Sequence, residues 1–290
     1  IRPKEIFLGA EGTMGIVTRA RLKIHPLPPA ACYRGVSFNG LASGLQAIQE
    51  ILQSGLRPSV IRLYDPLDSM ILQFGYERGT GNRLSKVIGA VLSKIPLPLR
   101  QLKTGGLHAL LRFPSLAQDL IALLPPEVIL ILGFEGEASF AEAQERIALG
   151  ICQRSICRDL GPRPGLHWLK HRYSVSFKMP QLFEKGCFVD TIEVAATWDL
   201  IQELYEKIHH ALSTKCLVMA HFSHAYPEGC SIYFTIAART GSAKRDKGLY
   251  QEIWEEAMGH CLSVGGTISH HHGIGTLKAK YLPHELGPEG

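Results

Sequence analysis

The sequence predicts an α+β fold, an antiparallel sheet with helices packed on one face. Three observations predict it. Strand-like runs alternate with helix-like runs in the segments 31–64, 128–151 and 187–237. A turn at Pro227-Glu228-Gly229 joins two of these strands as a hairpin. A long amphipathic helix over 246–264 closes the last round. Strand–helix rounds that include a hairpin stack their helices against a shared sheet face.

The elements follow in order. Gly9, Gly12 and Gly15 form a loop whose backbone N–H groups can approach a ligand closely. Ile16, Thr18, Ala20, Leu22 and Ile24 then alternate with Val17, Arg19, Arg21 and Lys23, which is strand periodicity. The prolines at 26, 28 and 29 end that run and mark a boundary. Cys32 to Phe38 reads as a strand, and Leu41, Leu45, Ile48, Ile51 and Leu52 keep helical spacing. Ser59 to Tyr64 is a second strand with Arg62 inside its apolar run. An edge strand would turn that guanidinium to solvent; otherwise it needs a phosphate or carboxylate. Gly75 to Gly81 suggests an irregular connection, and short helices are expected at Val87–Ile95 and Leu116–Leu124.

Val128 to Gly133 is a buried-strand run, followed by a helix over Phe140–Ile151. The stretch His167 to Pro180 mixes basic and aromatic residues, either an anionic pocket lining or a half-buried helix face. Phe188 to Ala195 is a strand, and Thr197 or its neighbour caps a helix bearing Ile201, Leu204, Tyr205, Ile208 and Leu212. Leu217–Phe222 and Ser231–Ala237 are strands, and Asp246–Val264 is the last helix.

The 290 residues carry a net charge of +5 and no long Lys/Arg block. That balance favours small anionic substrates or a membrane surface slightly and gives little support to nucleic acid. Seven scattered cysteines, an odd number without CxxC, read as reduced, packed thiols of an intracellular protein. No apolar run reaches transmembrane length. The chain opens at Ile1 in mid-pattern without Met, so a piece of a longer protein is expected.

The chemistry concentrates in GGTISHHHGIGTLK, residues 265–278. His270, His271 and His272 stand between glycines that hold a tight, non-helical loop. Imidazole titrates near neutrality, so the loop suits proton handling or anion contact. A structural polar loop and a metal site stay open. One metal would see two of three adjacent imidazoles at most, and no Cys or carboxylate stands at ligand spacing nearby, so no metal is expected. Tyr233, within CSIYF, becomes a general base only where charge or hydrogen bonding lowers its pKa.

Four motifs carry a family resemblance. The run GAEGTMGIVTRARLKIHPLP resembles the last segment of the FAD-binding domain in flavoproteins of the vanillyl-alcohol-oxidase type. GGTISxxHGIGxxK is similar to the C-terminal signature of FAD-linked 2-hydroxy-acid dehydrogenases, where Gly-Glu-His usually fills the middle. The triple histidine, IRLYD at 61–65 and CSIYF at 230–234 narrow the resemblance to the alkyldihydroxyacetonephosphate synthase family. It covers 1–65 and 187–282 well and 66–186 poorly.

The resemblance implies FAD as cofactor, contacted by Glu11, Gly12, Thr13, Met14, Gly15, Ile16 and Val17. It implies a ferredoxin-like cap domain at 29–268, after the end of an FAD domain at 1–28 and before a histidine loop and return segment at 269–290. The implied reaction belongs to ether-lipid synthesis. The acyl chain of acyl-dihydroxyacetone phosphate is exchanged for a fatty alcohol, with no net redox change. Tyr233 would abstract the proton, His270, His271 and His272 would transfer and position it, and Arg62 would line the pocket. The family's substrate-contacting Arg aligns near Phe177–Pro180; no Arg stands there, and Lys178 takes its place. The partners implied are a phosphorylated lipid precursor and a fatty alcohol, or a small hydroxy acid. Peripheral membrane contact and a homodimer stay open, as does a fragment that no longer catalyses. The implied location is cytoplasmic, or the peroxisomal matrix or membrane face in a eukaryote.

Overall fold

The computed structural model describes residues 3–78, 126–173, 183–184 and 186–287. Seven strands form one sheet: β1 (Ala30–Phe38), β2 (Val60–Tyr64), β3 (Val128–Gly136), β4 (Cys157–Gly161), β5 (Phe188–Thr197), β6 (Leu217–Ala225) and β7 (Gly229–Ala238). Their order is β4-β1-β3-β2-β6-β7-β5, and every pairing is antiparallel. The first four strands keep the ferredoxin-like order, and β6, β7 and β5 extend that sheet.

The helices are α1 (Pro3–Phe7), α2 (Leu41–Gln53), α3 (Pro66–Arg78), α4 (Ala138–Cys152), α5 (Arg163–His171), α6 (Ile201–Ser213), α7 (Ala243–Val264), α8 (Gly275–Lys278) and α9 (Leu282–Leu286). Period-2 alternation sends Leu63, Leu130, Phe222, Ile232, Phe234 and Ile192 to one face. There they meet Ile48 and Ile51 of α2, Ala148 of α4, Ile208 of α6 and Met258 of α7 in one buried cluster. This is the expected helical layer. The opposite face is covered under α3 and α5, where Tyr64, Leu72, Ile129 and Ile131 pack together with Trp168 beside them.

Three local expectations are corrected. Residues 15–28 form no strand; they find no ladder partner among the described residues, and Ile16 (91% exposed) and Ile24 (86%) face outward. The segment from Gly75 is not an irregular connection at its start, because α3 runs to Arg78. The cause is the Asp65-Pro66 start: the Asp65 carboxylate accepts the Asp68 N–H at 2.8 Å, and Pro66 needs no N–H partner there. Thr197 does not cap α6, since β5 runs through it and the helix begins at Ile201. The short strand β4 was not found by periodicity, and the helix α5 takes the described start of the His167–Pro180 stretch, through His171, into a helix, one of the two readings open for that stretch. The expected helices at 87–95 and 116–124, and Lys178, lie outside the described residues. All seven cysteines are free. Among the described residues no helix is long and apolar enough to cross a membrane.

Candidate functional site

The site lies on the sheet face opposite the main helical layer. The register Glu193↔Tyr233↔His221↔Tyr64 puts four polar side chains in one row across β5, β7, β6 and β2. Alternation turns this row away from Ile232, Phe234 and Val194, which are buried in the core.

The histidine loop is drawn over the row by its backbone. Helix α7 ends at Gly265, whose φ of 84° is the left-handed conformation that glycine takes without a Cβ penalty. Thr267 then pairs with Ala195 on the edge strand through two main-chain hydrogen bonds of 2.8 and 3.1 Å. Ile268 plugs into the core, fully buried, while the Glu285 carboxylate accepts its N–H at 2.8 Å. The next three residues meet one carboxylate. Glu193, itself fully buried, accepts the N–H of His270 at 3.0 and 3.1 Å and those of His271 and His272 at 3.4 Å. The loop's three histidines are therefore mounted on one buried charge, with their rings outside.

Glu11 ties the glycine-rich N-terminal loop to the same place. Its carboxylate accepts the Ile274 N–H at 2.6 Å and the Gly275 N–H at 2.8 Å. Gly273 lies in left-handed backbone at φ 83°, and a Cβ there would stand 2.5 Å from the Glu11 oxygen, so only glycine fits. Lys278, 3% exposed, donates to the main-chain oxygen of Glu193 at 3.2 Å.

Tyr233 and His271 are hydrogen-bonded, phenol oxygen to Nε2. His272 meets the same phenol ring edge-on at 4.9 Å, and His221 stacks on it at 4.8 Å and 15°. His224 adds a fourth imidazole, 4.4 Å from the His271 ring. Burial, with Glu193 next, pushes the Tyr233 phenol up to about 12, and Arg62 only partly offsets this. The lowering that a standing phenolate would need is not found. Tyr233 holds its proton at neutral pH, and the His271 tautomer sets which of the two donates in their hydrogen bond.

Arg62 is not an edge residue, because β2 lies between β3 and β6. Its Nη2 stands 2.6 Å from His221 Nε2, and its guanidinium carbon lies 5.3 Å from the Tyr64 ring centroid. Burial and then Arg62 lower the His221 pKa to about 4, so this imidazole is neutral and accepts from Arg62. Its other nitrogen faces Asp68 at 3.5 Å. Among the described residues no carboxylate pairs with Arg62, and its buried Nε lacks a hydrogen-bond partner. Arg62 is thus a cation held by a neutral base, with one buried donor left over.

Residue patterns thus located Tyr233, Arg62, the histidines and Glu11, but not Glu193, His221, His224 or Asp68. The signal that flagged Arg62 was present for two of them: Glu193 in TIEVAA and His221 in VMAHF each interrupt an apolar strand. The loop 11–17 lies exposed on the histidine side, with Thr13 bonded to Ala10 and the Met14, Ile16 and Val17 side chains unburied. That open backbone beside the site is compatible with a flat ring system. Among the described residues one group could hold a metal, Glu193 with His270 and His271.

The sequence pattern of the family described as FAD linked oxidases, C-terminal domain, matches residues 27–290. The chain belongs to that family. FAD is the cofactor to which the family points. The chain is 28% identical over 282 residues to an alkyldihydroxyacetonephosphate synthase of Dictyostelium discoideum, covering 95% of this chain and 42% of that one. A synthase of the same name from Trypanosoma brucei brucei is 24% identical over 303 residues, covering 98% and 44%. A solved alkyldihydroxyacetonephosphate synthase superimposes with a TM-score of 0.66 at 24% identity, over 100% of this chain and 49% of that one. This last likeness shows the fold. The chain spans about half the length of the relatives it matches.

Proposed function

We propose that this chain forms the substrate side of an FAD-dependent enzyme of ether-lipid synthesis, exchanging the acyl chain of acyl-dihydroxyacetone phosphate for a fatty alcohol. The observation that carries the reading is the Tyr233–His271 hydrogen bond beside an Arg62 that has no carboxylate partner among the described residues. The names of the relatives supply the substrate class.

In this reading the Arg62 guanidinium binds the substrate phosphate, with Lys178 as a second cation, and fixes the ketone next to Tyr233. The Tyr233 oxygen takes the proton beside the carbonyl while its own hydrogen passes to His271 Nε2. A neutral tyrosine can do this because the two transfers are concerted, and no free phenolate forms. His270 and His272 set the pose of His271, and Glu193 fixes all three through their amides. FAD, when bound, supplies the electron-poor ring that this chemistry uses. Residues 11–17 are assigned to its contact, and 1–28 to the end of its domain.

A second reading, oxidation of a 2-hydroxy acid, draws on the glycine–histidine frame at 265–278, shared with the dehydrogenases. One experiment separates the two in a full-length protein carrying this chain. Acyl-dihydroxyacetone phosphate and a labelled fatty alcohol are expected to give labelled ether product with the flavin remaining oxidised at the end of turnover. Bleaching of the flavin by glycolate or D-lactate, with no ether product, would select the second reading.

A further inference from the structure

We propose that Glu193, His270 and His271 form a binding site for a divalent transition-metal ion of the zinc type. The three donor atoms converge. His270 Nδ1 and His271 Nδ1 are 2.9 Å apart, and Glu193 Oε1 lies 3.5 Å from the His271 nitrogen and 4.0 Å from the His270 nitrogen. The point equidistant from the corners of that triangle is about 2.1 Å from each, the length of a Zn–N or Zn–O bond. The three separations thus match those around a single bound ion. The sequence spacing offered two imidazoles and no third ligand; the fold brings the third from β5.

The carboxylate is divided between two tasks. Oε2 accepts three loop amides, while Oε1 accepts only that of His270 and faces both rings. Glu193 is fully buried, and the neighbouring Lys278 binds its main-chain oxygen instead of the carboxylate. A buried carboxylate needs a cation; the Lys278 ammonium is near enough to act on its charge, and the two imidazoles face its Oε1 directly. The far nitrogen of His271 is held by Tyr233, an outer partner that fixes the ring as in established metal sites. Two imidazoles and one carboxylate suit zinc, cobalt, nickel or copper; magnesium and calcium take oxygen ligands. Three protein ligands leave a coordination position open.

The site has a consequence independent of the enzyme's substrate. A metal on His271 Nδ1 keeps that ring's proton on Nε2, where it is donated to the Tyr233 oxygen. That is the reverse of the bond that moves a proton off Tyr233, so an ion here is an inhibitor of proton transfer.

Isothermal titration of the purified, reduced chain with zinc chloride tests the site, with the cobalt(II) absorption spectrum as a second readout. One zinc per chain is expected at micromolar affinity or tighter. His270→Ala and His271→Ala should each weaken it at least about tenfold, whereas His272→Ala and His284→Ala should stay within about twofold. The cobalt form should show no thiolate charge-transfer band. Glu193→Gln should also lose binding, with circular dichroism as its folding control; should it unfold, the two loop variants decide alone. Absence of saturable one-to-one binding overturns the proposal. So does binding that survives His270→Ala and His271→Ala, or a thiolate band, which would put the ion on cysteine.

Discussion

Arg62 shows what one residue's surroundings can decide. A guanidinium in an interior strand is costly without a partner, and here its neighbour is a neutral imidazole, not a carboxylate. In the proposed function that charge meets the substrate phosphate. Arg62→Met in the full-length enzyme should remove one charge-assisted contact to phosphate, about 1.5–3 kcal/mol, and so lower kcat/KM for the phosphorylated substrate by roughly ten- to a hundredfold. Steady-state kinetics check this, and unchanged constants would return Arg62 to a packing role. His224 is a second residue-scale feature: it sits at φ 50° where β6 shifts register, a conformation uncommon for a side-chain-bearing residue. The bulge aims its ring at His271.

Two elements hold the site in place, and both depend on acidic side chains. Asp65 caps α3 and also accepts the Ala220 N–H at 2.7 Å, which joins that helix to β6. Asp65→Ala would leave buried N–H groups unsatisfied. The cost should be about 1–3 kcal/mol, read as a fall in the urea midpoint at unchanged m-value. Glu11 is the only side chain from the N-terminal loop seen to grip the histidine loop's far end among the described residues. Glu11→Ala should leave the sheet intact and raise amide exchange at Ile274 and Gly275, measured by hydrogen–deuterium exchange; unchanged protection there would contradict the tie. The elements themselves were largely legible. Period-2 and helical patterns located six of the sheet's strands, because each packs one apolar face. β4 escaped because its CRDLG sequence is polar and sits at the sheet edge. Residues 16–24 misled for the opposite reason: they alternate as a strand does, yet alternation records only two unlike faces and says nothing of a pairing partner.

The whole molecule places a set of imidazoles over one antiparallel sheet, and the buried one among them, His221, couples folding to pH. His221 is buried and held at a pKa of about 4, against about 6.5 when unfolded. The lowered value means the unfolded chain binds the proton first as pH falls. Stability from this group is complete above about pH 6.5 and declines toward pH 4, by up to about 3 kcal/mol. His209, lowered to about 4 by burial, acts in the same sense, and Asp65, pushed up to about 8 by burial, in the opposite one, so the His221 share is the difference between the protein and His221→Phe in urea unfolding at pH 7, 6 and 5. The variant should gain stability relative to the protein toward pH 5; an equal pH dependence in both would assign no share to His221. The candidate site was legible only in its local part. Loop and tyrosine can be read from spacing, but Glu193 is 77 residues before His270 and joins it through a strand register that no local pattern records.

The central claim is that Tyr233 and His271 act as one proton-moving unit. Turnover of Tyr233→Phe, His271→Ala and the double variant in the full-length enzyme tests it most directly, with circular dichroism as the folding control. Tyr→Phe keeps the ring against His221, and the histidine lies on an exposed loop, so neither change opens a core cavity. Each single variant should lose a factor on the order of a hundred or more, and the double should be scarcely worse than either. Losses that multiply, or near-normal rates in both single variants, would contradict the account.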